Sequence, residues 1–395
     1  MTGDRAGFVP PPYPYDRLRE IVALAAEHHD EVIDLSIGTP CDAPPPSVVD
    51  ALASSGTERG YPPSIGTLPL RTAISRWFLH RLGVTVDPDT EVAACVGTKE
   101  LVAGLPHLLR LRDPRRDTVL YPAVSYPTYE MGALLAGCRA VPVDVDEGWR
   151  LRLDTVDPAD AARALCLWVN TPGNPAGALD DLDAAAAWGR ERGVVVCSDE
   201  CYVEFTWAGD PVGAVARPGR SILRSGSSGV LAVHSLSKRS NLAGVRVGFY
   251  AGDAELVRYC SEIRKHQGLM VPGPAQAAGV AALSDDVHVV AQRERYLGRL
   301  GRLAAAFEWA GIDVELPEGG FYLWVPAPRG DAWGLTRAMA RAAGVVASPG
   351  EFYGEAAASH VRLAVVQPDD KVELAAARIS RDLAAALWTP DTEDA

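Results

Sequence analysis

Between about residues 70 and 255, short and continuously apolar runs alternate with helix-length segments, and this alternation limits the fold more than any other feature. The runs are EVAACVG (91–97), TVLYPAV (118–124), AVPVDV (140–145), ALCLWVN (164–170), GVVVCSD (193–199), GVLAVHS (229–235) and VRVGFYAG (245–252). Runs this short, without polar alternation, suit strands buried on both faces. Helical patterns such as KELVAGLPHLLRL and LDAAAAWGRERG lie between them, the second closed by a glycine. Together they predict an α/β domain around a mainly parallel, seven-stranded sheet.

Past about residue 285 the pattern changes. A charged helix over 286–311, strands DVEL (313–316) and GGFYLWV (319–325), a further helix, strand HVRLAVV (360–366) and a last helix predict a smaller α+β unit. The first forty residues read as a proline-rich arm, an amphipathic helix (DRLREIVALAAEHH) and a short strand, VIDLSIG. The expected division is an N-terminal arm and part of the small domain (1–45), a large domain (46–285) and a C-terminal small domain (286–395). A chain of 395 residues suits a large domain plus a smaller one.

The net charge of −13 argues against a nucleic-acid partner, which would call for basic clustering. The start, MTGDRAGFVPPPYPYDRL, has no apolar core of a signal peptide. The longest uncharged run, HQGLMVPGPAQAAGVAALS (266–284), carries a histidine, two glutamines and two prolines, so no membrane span is expected. The seven cysteines, at 41, 95, 138, 166, 197, 201 and 260, are scattered and form no CxxC pair. Free thiols in a reducing cytoplasm are the simplest reading, and the spacing of a metal site is absent.

Ligands of open α/β sheets bind outside the carboxyl ends of the strands. There this sequence sets Gly97-Thr98-Lys99 at the start of a helix, then Tyr126, then NTPGNPAG with Asn170 and Asn174, then Asp199 and Tyr202, then Ser235, Ser237 and Lys238, with Arg246 opening the next strand. Gly97 and Thr98 offer a helix N-terminus to an anion, and Ser235, Ser237 and Arg246 add donors and a permanent charge. A desolvated lysine beside a cation has a lowered pKa and can form a Schiff base, a role open to Lys238. Asp199 ends an apolar strand and needs a buried positive partner. Asn174 and Tyr202 can donate to one phenolate oxygen, and Tyr126 can lie against an aromatic ring. A phosphate, an aldehyde, a protonated ring nitrogen and a phenolate describe pyridoxal 5′-phosphate (PLP).

After DLSIGTP (34–40), YPPSIGTLPLR, YPAVSYPTY, NTPGNPAG, SDECY, SLSKRSNLAGVRVG and HVRLAVV (360–366) follow in that order. In this series the chain resembles the class I/II aminotransferases, PLP enzymes of fold type I. The resemblance implies that Lys238 is the Schiff-base lysine and proton carrier, and that Asp199 pairs with the ring nitrogen. It implies that Tyr202 and Asn174 bind the ring oxygen, Tyr126 stacks, and Thr98, Ser235, Ser237 and Arg246 hold the phosphate; Gly97 and Lys99 are further candidates to bind the cofactor. It also implies a homodimer in which Tyr61 reaches the phosphate of the partner, with Arg362 and the Gly38 backbone binding the substrate α-carboxylate. Ala176 departs from the threonine common in that turn.

Taken singly, each residue has a plainer use. Lys238 could be a loop lysine, Asp199 a helix cap, Tyr126 a core aromatic, and Tyr61 a surface one. Ser235 and Ser237 could satisfy backbone groups, and Arg362 could serve an ion pair. His107, His234, His266 and His360 read as structural. GTKELVAGLP, HSLSKRSNLAG and RKHQGLMVPGPAQAA look similar to family members that move an amino group from N-succinyl-2,6-diaminopimelate to 2-oxoglutarate. Lys99, Arg264 and Lys265 are candidate cations for the far carboxylates, and Arg239, Ser240 and Asn241 are candidates to face the site. The alternative is an aminotransferase, or a lyase or cyclase of the same fold, in a specialised biosynthetic pathway.

Overall fold

The computed structural model describes residues 7–207 and 219–388; residues 1–6 of the proline-rich arm lie outside them. Seven of the apolar runs become the strands of one sheet. They are β1 (Val92–Cys95), β2 (Thr118–Pro122), β3 (Arg139–Val143), β4 (Ala164–Asn170), β5 (Val195–Asp199), β6 (Val230–Ser235) and β7 (Gly248–Gly252). Their order across the sheet is β1-β7-β6-β5-β4-β2-β3. Only β7 runs against its neighbours, while β2 to β6 pair in parallel.

The continuous apolarity of these runs has a simple cause. In the strands other than the edge strand β3, alternate residues enter two different buried clusters. Val92, Ala94, Leu167, Val169, Val196 and Ala232 pack on one face of the sheet. Ala93, Cys95, Cys166, Trp168, Cys197 and Val233 pack on the other. Helices cover both faces, among them Thr98–Arg112, Leu182–Arg192 and Ala254–His266. Gly193 ends the second of these in the left-handed region, at φ 60°, where the sequence puts its glycine stop.

A second sheet, antiparallel, has the order β9-β10-β8, from β8 (Tyr322–Pro326), β9 (Ser348–Pro349) and β10 (His360–Ala364). The helix Val287–Trp309 packs Tyr296, Leu300, Leu303 and Phe307 beside it, at helical spacing. The N-terminal segment joins this region, because Ile33–Asp34 pairs in parallel with Val345–Val346.

Two sequence expectations fail locally. DVEL (313–316) forms no strand: Ile312 and Val314 are buried, but no ladder pairs with the segment among the described residues, and Pro317 follows. The run VRVGFYAG begins its strand only at Gly248. Ala243–Val245 make a 3-10 turn, and Arg246 takes a left-handed φ of 60°. Among the described residues, no helix is long and apolar enough to cross a membrane.

Candidate active site

β1 and β2 to β6 share one direction, so their carboxyl ends lie on one edge of the sheet. Because β7 is reversed, the chain entering it brings Arg246 to that same edge. A cavity of about 290 Å³ opens there, lined by Gly38, Thr98, Lys99, Tyr126, Asn174, Asp199, Tyr202, Ser235, Ser237, Lys238, Arg246 and Arg362. Of the residues expected at the cofactor or the α-carboxylate, all except Gly97 and Tyr61 line it. Gly97 lies directly behind, against Arg246, and Tyr61 stands away from the cavity with 96% of its surface exposed.

Lys238 sits in the four-residue helix Leu236–Arg239, which starts where β6 ends. The Ser235 hydroxyl caps this turn, accepting from the Ser237 N–H at 3.1 Å. The Lys238 Nζ donates to the Gly38 carbonyl. Burial pushes the Lys238 pKa down to about 8, and the Arg362 and Arg246 charges push the same way against Cys201 and Asp199.

Asp199 ends β5 and is buried. Its carboxylate accepts from the Tyr129 hydroxyl at 2.9 Å and from the Cys201 N–H at 3.2 Å. Burial raises its pKa, against the bonds from Cys201 and Tyr129. Among the described residues no arginine, lysine or histidine forms an ion pair with it. A buried carboxylate bonded only to neutral donors lacks a directly paired counter-charge.

The helix Thr98–Arg112 opens at Gly97, whose φ is 72°. A Cβ there would overlap the Arg246 guanidinium, so only glycine lets this arginine lie across the helix start. Arg246 reaches the Ser237 hydroxyl at 3.5 Å and the Ala243 carbonyl at 2.9 Å. The result is a cup of two serines, a helix N-terminus and a guanidinium, suited to a phosphate.

Arg362, on β10, is 2% exposed. It donates to Asn174 Oδ1 at 2.8 Å and to the Ser36 carbonyl. Its Nε is buried without a hydrogen-bond partner among the described residues. Asn174 is itself set by Asn170, whose Oδ1 accepts from the Asn174 N–H at 2.8 Å. Lys99 Nζ stands 5.2 Å from the Tyr13 ring centroid and 5.9 Å from that of Tyr126. Burial raises the Tyr126 pKa.

Several expected residues serve elsewhere. Arg264 is 1% exposed and pairs with Glu100, which itself accepts from the Val96 N–H at the start of the helix. Lys265 is exposed and faces Glu262 at 3.9 Å. Neither lines the cavity. The turn after Lys238 folds back into the core: Arg239 pairs with Glu204 and Asp286, Ser240 accepts from Arg239, and Asn241 donates to Gln292. Conversely, Tyr13, Tyr15, Cys201 and Tyr322 line the cavity, and Tyr129 supports it from behind, without being picked out in the sequence. The tyrosine three residues after Tyr126 is the one available signal, since both belong to the stretch that opens the helix Thr128–Leu135.

The family model described as aminotransferase class I and II matches residues 30–379. The 4-dedimethylamino-4-oxo-anhydrotetracycline transaminase OxyQ of Streptomyces rimosus is 43% identical, over 94% of this chain and 99% of its own. LL-diaminopimelate aminotransferase of Syntrophobacter fumaroxidans is 31% identical, over 94% of this chain and 96% of its own. Among solved structures, a probable N-succinyldiaminopimelate aminotransferase from Thermus thermophilus superposes with a TM-score of 0.82 at 30% identity, covering 94% of this chain and all of its own (100%). With a lysine, a buried carboxylate and a phosphate cup at the sheet edge, and with this match along most of its length, the chain belongs to the class I and II aminotransferases, PLP-dependent enzymes.

Proposed function

We propose that this aminotransferase takes its amino group from N-succinyl-LL-2,6-diaminopimelate and passes it to 2-oxoglutarate. The observation that carries the reading is that, besides Lys238 and Arg246, the cavity is lined by two further cations on separate elements, Arg362 on β10 and Lys99 on the helix Thr98–Arg112. Arg362 offers a buried, unsatisfied N–H to an α-carboxylate. Lys99 is then available for a far carboxylate, which both the donor and 2-oxoglutarate carry. The similarity to the Thermus and Syntrophobacter proteins supports a substrate of the diaminopimelate type.

The residues fit PLP on grounds of their own. Asp199 is a buried carboxylate whose direct partners are neutral donors, so a protonated ring nitrogen supplies the missing charge. Gly97, Thr98, Ser235, Ser237 and Arg246 would hold the phosphate. Tyr202 and the Asn174 amide N–H would hold the ring oxygen, because Asn174 Oδ1 is taken by Arg362. Tyr126 would cover the ring, and Lys238 would take the aldehyde. When bound, PLP supplies the sink for the electron pair left at the donor α-carbon.

The chain's part is orientation and proton transfer. Arg362 fixes the donor so that its α-hydrogen faces Lys238. Lys238 Nζ, whose pKa lies near 8, takes that proton and later gives it up. Asp199, whose carboxylate accepts from Tyr129 and Cys201, would face the ring nitrogen and favour its protonated form. The Gly38 carbonyl orients Lys238 Nζ.

Tyr61 points to a homodimer in this reading. A tyrosine 96% exposed suits a contact with the partner's phosphate. A cytoplasmic setting also goes with it, supported by seven cysteines that are all free.

A second reading is favoured by the similarity to OxyQ and by the aromatic wall of Tyr13, Tyr15, Tyr126 and Tyr322. In it, the acceptor is a ketone on a polycyclic aromatic in a specialised pathway. Glutamate formation from N-succinyl-LL-2,6-diaminopimelate and 2-oxoglutarate tests the first reading. One glutamate per donor consumed is expected, and Lys99→Ala should raise KM for this donor about tenfold while leaving KM for alanine unchanged. No glutamate from this donor, with amination of a polycyclic ketone by glutamate, would favour the second reading instead.

A further inference from the structure

Three groups used in the proposed chemistry meet one residue that it does not use. Tyr322 lies on β8 and is 2% exposed. Its hydroxyl is 2.9 Å from that of Tyr202. Its ring carries the Arg362 guanidinium, whose carbon is 4.1 Å from the ring centroid. Its edge fills the space beside Gly38, where a Cβ would overlap the Tyr322 hydroxyl. The Gly38 carbonyl in turn accepts from Lys238.

We propose that Tyr322 is a positioning residue that sets the Tyr202 hydroxyl and the Arg362 guanidinium together, through its own hydroxyl and its ring respectively. The inference rests on the roles given above to Tyr202 and Arg362. The hydroxyl argument is one of proton count. Tyr202 has a single O–H proton. When that proton is donated to a ring oxygen in the cavity, Tyr202 can only accept from Tyr322. A hydroxyl that accepts is polarised into a stronger donor. A stronger donor draws charge from the ring oxygen, which lowers the proton affinity of the neighbouring Lys238 nitrogen.

The ring argument concerns orientation. The guanidinium lies over Tyr322 and 4.8 Å from the Tyr353 centroid. A guanidinium held against aromatic faces keeps its N–H groups in one plane. Without the Tyr322 ring, the fork can tilt away from the carboxylate it has to meet. The charged or titratable groups facing the Tyr202–Tyr322 pair are Arg362, Asp199, Cys201, Tyr15 and Tyr126, with Lys238 opposite them across the cavity.

Two substitutions separate the two tasks. In the PLP-loaded protein, Tyr322→Phe keeps the ring and removes the hydroxyl. It should raise the pH midpoint of the visible absorbance band by about half a unit, with KM for 2-oxoglutarate within about twofold of wild type. Tyr322→Leu removes the ring and should raise that KM roughly tenfold; Tyr322→Met serves if the leucine variant does not fold. An unmoved midpoint in Tyr322→Phe, or an unchanged KM in the ring-less variant, overturns the inference. Arg362→Leu measured alongside tells the two failures apart: if it leaves KM unchanged, the carboxylate role of Arg362 is what is wrong.

Discussion

The Tyr129 hydroxyl donates to the Asp199 carboxylate at 2.9 Å, behind the floor of the cavity. Burial works against the charge on Asp199, and this bond works for it. Tyr129→Phe should therefore push the Asp199 pKa further up and weaken its hold on a ring proton. The expected outcome is a PLP dissociation constant raised about tenfold, in line with a hydrogen bond to a charged group. Fluorescence titration of the cofactor-free protein with PLP checks it, and unchanged affinity would remove Tyr129 from the account.

The depressed pKa of Lys238 has a direct kinetic reading. Only the neutral amine attacks an aldehyde. With a pKa of about 8 in place of the ordinary 10.5, capture of PLP should rise about tenfold per pH unit up to near pH 8 and then level off. Stopped-flow absorbance across pH 6 to 10 measures this. A rate still climbing steeply past pH 9 would show that the lysine is not desolvated as described.

Gly97 tests the phosphate cup. Its φ of 72° and the closeness of Arg246 leave no room for a side chain. Gly97→Ala should displace the guanidinium and cost tenfold or more in PLP affinity, on the order of a lost charge-assisted contact. Unfolding of the cofactor-free protein should change far less. Equal losses in both would mean that the glycine serves the fold alone.

What was legible in the sequence follows from where each residue lies. Most of the strands could be read because both faces of the sheet are covered, so their positions are mainly apolar. The residues that close them, Asp199, Ser235 and Asn170-to-Asn174, break that apolarity and mark the site. Arg246 was legible as a site residue, but its left-handed turn was not, since nothing in VRVG marks it. Tyr322 alternates with apolar neighbours in GGFYLWV and looks like core; only the approach of the small sheet to the cavity gives it a role. Arg264 looked like a free cation because its partner, Glu100, is 164 residues away. DVEL has the composition of a strand and lacks a neighbour to pair with.

The residue after Lys238 anchors it. Glu204 is buried and accepts from Trp77 Nε1 at 2.7 Å, from Arg81 at 2.8 Å and from Arg239 at 3.1 Å. The Arg239 and Arg81 charges hold its carboxyl below the usual range despite burial. Arg239→Ala leaves Arg81 to neutralise Glu204, so it should cost about 1.5–3 kcal/mol, the worth of a hydrogen bond to a charged group. Glu204→Gln leaves both arginines facing an uncharged amide and should lower the denaturation midpoint further, at about 3–5 kcal/mol. Paired unfolding curves check the order.

The central claim is that Lys238 is the amine that holds PLP. The chain has only four lysines, Lys99, Lys238, Lys265 and Lys371, which makes the claim sharp. Borohydride reduction of the PLP-loaded protein, followed by peptide mass mapping, tests it most directly. The account predicts a pyridoxyl group on Lys238 alone, and none in Lys238→Ala. A label on Lys99, Lys265 or Lys371 instead, or no label on any lysine, would contradict it.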